Sequence, residues 1–76
     1  MHEGLYDHLK GVRLELARER GVPAYVIFHD AVLQAMAAEQ PANADAMLAI
    51  SGVGPQKFDR FGQAFLDAIA DYAVSA

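Results

Sequence analysis

MLAISGVGPQKFDRFGQAFLDAI, residues 47–69, places a Gly-Val-Gly-Pro turn between two stretches of helical apolar spacing. Gly52 and Gly54 flank Val53, and glycine takes positive φ without a Cβ penalty while letting another backbone approach closely. Pro55 opens a helix, where its missing N–H is no loss. The remaining amides of that first turn face outward, and the helix dipole there favours an anion. The turn is therefore either a cradle for phosphate or simply a tight interhelical corner. Beyond it, Phe58, Phe61, Phe65, Ile69 and Tyr72 recur three or four residues apart, the spacing of one buried helix face. Gly62 falls beside that stripe, where a missing side chain permits close helix packing at a propensity cost of about 1 kcal/mol.

Working outward, the rest of the chain also has helical spacing and no strand alternation. Leu5, Leu9, Val12 and Leu16 define the apolar stripe of a first helix over about residues 5–20, which Gly21 ends. Lys10, Arg13 and Arg20 flank that stripe, as a narrow basic ridge or as snorkelling surface charge. Leu14 points away from it. Residues 22–28 form a short turn fixed at its start by Pro23, delivering Tyr25, Ile27 and Phe28 to different sides. Asp30 is placed to cap the next helix, whose buried face is Val32, Leu33, Met36 and Ala37 and which Gln40-Pro41 stops. Asn43 caps a further short helix, with Asp45 in its first turn and Met47, Leu48 and Ile50 turned inward. The expected fold is all-α, one compact orthogonal bundle of five helices over residues 1–76 with a helix-hairpin-helix-like turn.

Several of these stretches resemble a known family in order and spacing. They are Val22-Pro23-Ala24-Tyr25-Val26-Ile27-Phe28-His29-Asp30-Ala31-Val32-Leu33, then Pro41, Met47 to Gly54, and Lys57-Phe58-Asp59-Arg60-Phe61-Gly62. They are similar to the HRDC domain (helicase and ribonuclease D C-terminal), most closely the version in bacterial RecQ-family DNA helicases. The resemblance spans Leu5 to Tyr72. It implies a fragment of a larger protein, an accessory domain that modulates structure-specific DNA binding by an ATP-dependent 3′–5′ helicase. ATP and Mg²⁺ would then belong to that parent, and the domain would need no cofactor of its own. The implied partners are single-stranded or branched DNA, bound weakly, and the rest of the parent helicase. Membership of a ribonuclease D-like RNA-processing enzyme is the family's other branch.

Composition bounds the function. Seventy-six residues support one small core. No apolar run is long enough to span a membrane, and nothing at Met1-His2-Glu3-Gly4 resembles a signal peptide, so a cytoplasmic, monomeric domain is expected. Without cysteine there is neither a disulfide nor a thiolate metal site. His2, His8 and His29 are scattered, Ser51 and Ser75 have no histidine at a suggestive spacing, and no P-loop is present, so catalytic residues are not expected. Asp67 and Asp71 lie four apart on a helix, a spacing that usually means solvated charge and not a metal site.

Six basic against ten acidic residues give a net charge of −4, the wrong sign for a domain that grips nucleic acid by charge alone. The candidate DNA contacts are Gly52, Val53 and Gly54 of the turn, Lys57 and Arg60 beside it, and Tyr25. Lys57 and Arg60 oppose the helix dipole, so phosphate would explain them, or they are unselected surface. Tyr25 is either a core-edge residue or a ring for stacking on an unpaired base. The acidic faces with Asp7, Glu15, Glu19, Asp67 and Asp71 either dock on a basic surface of the parent or a partner, making this a protein-interaction module, or only confer solubility.

Overall fold

A computed structural model describes residues 3–75; His2 lies outside them. Helix α1 (Glu3–Arg20) is the axis of the fold. At 1.5 Å per residue its 18 residues span about 27 Å, most of the 31 Å long dimension of the molecule. It packs against α2 (Ala24–Ile27), α3 (Asp30–Glu39) and the C-terminal helix. Gly21, at φ 65°, ends α1 in a Schellman motif: Val22 N–H donates to the Ala17 carbonyl and Gly21 N–H to that of Arg18.

The stripe that α1 buries is Leu5, Leu9, Arg13 and Ala17, four residues apart throughout. Val12 and Leu16, expected on it, are only half-buried at its border. The basic ridge therefore does not form. Arg13 turns into the interior, Lys10 pairs with Asp7 at 3.5 Å and lies over the Tyr6 ring, and the Arg20 guanidinium sits 4.7 Å from the centre of the Phe61 ring.

Helix α3 buries Val32, Leu33, Met36 and Ala37 and ends at Gln40, whose left-handed φ of 48° precedes Pro41. Asp30 does not cap it. His29 occupies the N-cap position, and the Asp30 carboxylate binds Arg13 at 2.8 Å. Asn43 does cap α4 (Ala44–Leu48), its Oδ1 accepting from Ala46 N–H. Met47 and Ile50 are buried, but Leu48 faces outward.

The fifth rod is not uniform. It begins as one α-turn, Pro55–Lys57 (α5), widens to a π-turn over Phe58–Gly62, and returns to α-helix over Gln63–Ser75 (α6). Phe61, Phe65 and Ile69 are buried as their spacing predicts, with Phe58 and Tyr72 half-buried at either end. Gly62 is buried against the ring of Phe58 in the same rod, so its missing side chain admits that ring and not a neighbouring helix. At the other end Tyr72 reaches back to α1, its hydroxyl against Gly4 and its ring 5.7 Å from His8. Phe28 joins the layers, meeting Phe61 and Phe65 edge-on at 6.3 and 5.3 Å.

Candidate nucleic-acid interface

The turn after α4 depends on one glycine more than the other. Gly52 has φ 96°, and a Cβ there would lie 2.6 Å from Val32 Cγ2, so both conformation and packing against α3 require its lack of a side chain. Gly54 has φ −85° and a Cβ would meet nothing within 4 Å. Positive φ is therefore needed at Gly52 alone. Gly54 serves as the N-cap of α5, with its carbonyl accepting from Phe58 N–H at 2.9 Å. Val53 is buried and pins the turn, while Ser51, Gly52 and Gly54 remain exposed. The amides of Gln56 and Lys57 belong to a first helical turn, which supplies them no partner.

This difference is measurable. Gly52→Ala should cost about 1–3 kcal/mol through backbone strain and collision with Val32. Gly54→Ala should change stability by about 0.5 kcal/mol or less. Urea unfolding of the two variants checks both, and equal losses would refute the assignment.

Lys57 links the turn to α2. Its Nζ donates to the Val26 carbonyl at 2.7 Å, across 31 positions of sequence, and lies 5.7 Å from the centre of the Phe28 ring. That contact sets the cation against the end of α2, beside Tyr25. An ammonium has three donors, so two remain after this bond. Arg60 sits in the π-turn, exposed and without a carboxylate partner among the described residues. Tyr25 is 59% exposed, which removes it from the core, and Val26 beside it is exposed as well.

Two neighbours of this surface were not legible in the sequence. The His29 ring stacks on Tyr25 with centroids 5.9 Å apart and planes 27° from parallel. Although the two residues are four apart, α2 ends between them and extended backbone at Phe28 and His29 makes the approach, so no helical spacing rule applied. Arg13 lies beneath, its Nη1 donating to the Phe28 carbonyl at 2.9 Å. The sequence reading set Arg13 beside the α1 stripe and not in it, so its burial was not foreseen.

The five acidic residues of the interaction reading are exposed, and two of them have local partners. Asp7 is paired with Lys10, Asp67 accepts from Gln63 Nε2 at 2.8 Å, and Glu15, Glu19 and Asp71 are exposed. Among the described residues no three His, Asp or Glu side chains gather as a metal site, and no helix is long and apolar enough to cross a membrane.

Comparison with known proteins agrees with this architecture. Residues 2–69 match the family model described as the HRDC domain. The chain is 44% identical over 72 residues to the ATP-dependent DNA helicase RecQ of Bacillus subtilis (strain 168), a match that covers 95% of this chain and 12% of that protein. It is 40% identical over 67 residues to the ATP-dependent DNA helicase UvrD2 of Mycobacterium tuberculosis (strain ATCC 25618 / H37Rv), covering 88% and 10%. The solved structure of D. radiodurans RecQ HRDC domain 3 superposes with a TM-score of 0.88 at 35% identity over 91% of each chain. The chain thus spans only 10 to 12% of the length of these helicases.

Proposed function

The chain belongs to the HRDC domain family, and from that premise we propose that it is an accessory DNA-binding domain of a RecQ-like, ATP-dependent helicase. It adds weak contact to single-stranded or branched DNA through Tyr25, the Gly52-Val53-Gly54 turn, Lys57 and Arg60. ATP and Mg²⁺ are handled by the parent. The observation that supports this reading best is the bond from Lys57 to the Val26 carbonyl, which brings two distant segments into one surface with an exposed ring, a cation and an open glycine turn. Phosphate gives Arg60 a role that the helix dipole does not, since the dipole disfavours positive charge at a helix start, and it adds a second role to Lys57, which already bonds the Val26 carbonyl.

With a net charge of −4, attraction to DNA is local. Two neutralised phosphates give a salt slope of about −1.4 on a single strand, with Kd of roughly 10⁻⁴ to 10⁻⁶ M. Arg60→Ala should reduce the slope by about 0.7 and leave folding unchanged. Lys57→Ala should reduce it equally and also lower stability by about 0.5–1.5 kcal/mol, because it removes the bond to α2. Titrations at several salt concentrations check both. Slopes unchanged in both variants would reject this surface as the phosphate site.

A further inference from the structure

We propose that His29 backs the ring of Tyr25 and holds it as a preset platform for one unpaired base. The inference rests on the stacking role given to Tyr25 above and adds a positioning residue to it. Tyr25 stands 59% exposed on a helix of four residues. A ring so placed has little around it to fix its side-chain torsions, and ordering it on binding would cost affinity. The imidazole of His29, 5.9 Å away and nearly parallel, supplies the missing support.

Both rings are exposed, and three features favour the stack by fixing the backbone that carries them. Although His29 occupies the N-cap of α3, its side chain makes no cap hydrogen bond, so the ring contributes to the stack and not to the helix end. The preceding Phe28 is buried, and Arg13 grips its carbonyl, which fixes the backbone between the two rings. Lys57 is bonded to the carbonyl of Val26, next to Tyr25, and so brings positive charge beside the platform where a stacked nucleotide would place its phosphate. The His29 ring meets Tyr25 of α2, and the residue that follows it, Asp30 of α3, is paired with Arg13 of α1 at 2.8 Å.

Fluorescence anisotropy of the 76-residue chain with oligothymidylate, and with the same backbone made abasic, tests the assignment. Tyr25→Ala should weaken binding to oligothymidylate by about 5-fold or more, the low end of base–aromatic stacking. His29→Ala and His29→Asn should each weaken it by about 2- to 10-fold, the range of an aromatic pair, and His29→Phe should restore it. None of these changes should alter the salt slope or the affinity for the abasic strand. A normal effect of Tyr25→Ala with none from His29→Ala or His29→Asn overturns this inference alone. A shallower salt slope together with loss on the abasic strand makes His29 a phosphate contact and also overturns it. No effect of Tyr25→Ala overturns the stacking reading and this inference with it.

Discussion

Replacing Phe65 by alanine should destabilise the domain by about 3–5 kcal/mol, the usual cost of emptying a buried aromatic site. Phe65 is fully buried in the core, edge-on to Phe28 at 5.3 Å. A domain of this size has about 4–11 kcal/mol in total, so the variant should be partly unfolded at 37 °C. Phe61→Ala falls in the same range toward its lower end, because Phe61 keeps slight exposure beneath the Arg20 guanidinium. Urea unfolding followed by circular dichroism gives both values. A midpoint within error of the parent chain for Phe65→Ala would remove that residue from the core.

The aromatic rod was legible because its physics is local. Phe61, Phe65 and Ile69 are four apart, and that spacing holds although Phe61 lies within the π-turn that begins at Phe58. The π-turn itself was not legible, since it arises where the Phe58 ring settles on Gly62, a packing choice with no signature in spacing. Caps divided in the same way. Asn43 bonds to an amide three residues on and was readable, whereas Asp30 is drawn from capping to Arg13, seventeen residues away in sequence. Leu48 shows the limit of apolar periodicity in a helix of five residues, too short to fix which side faces inward. For the candidate site, the residue types pointed to the turn and to Tyr25. That Lys57 joins them through Val26, and that His29 supports the ring, are long-range or extended-backbone contacts outside any periodic rule.

Arg13 is where fold and site meet, and its variants should separate two interactions. Its Nη1 donates to the buried Phe28 carbonyl and pairs with Asp30, while its Nε has no partner among the described residues. The Asp30 side chain is 69% exposed against 10% for Arg13, so water screens the ion pair and leaves the carbonyl bond as the stronger restraint. Arg13→Ala should therefore cost about 2–4 kcal/mol, combining an unsatisfied buried carbonyl with the void left by the aliphatic stem. Arg13→Met keeps the stem and removes the buried charge together with its orphan Nε, so about 1–2 kcal/mol is expected. Asp30→Ala should cost less than about 1 kcal/mol. Unfolding at low and high salt ranks the three, and an Asp30→Ala loss equal to that of Arg13→Ala would make the ion pair the dominant restraint. Of these, Arg13→Met stays folded while releasing the Phe28 carbonyl between the Tyr25 and His29 rings. It should thus loosen their stack, seen as a change in the Tyr25 ring resonances, and because it also frees the exposed Asp30 carboxylate, Asp30→Ala, which breaks only the ion pair, is the control.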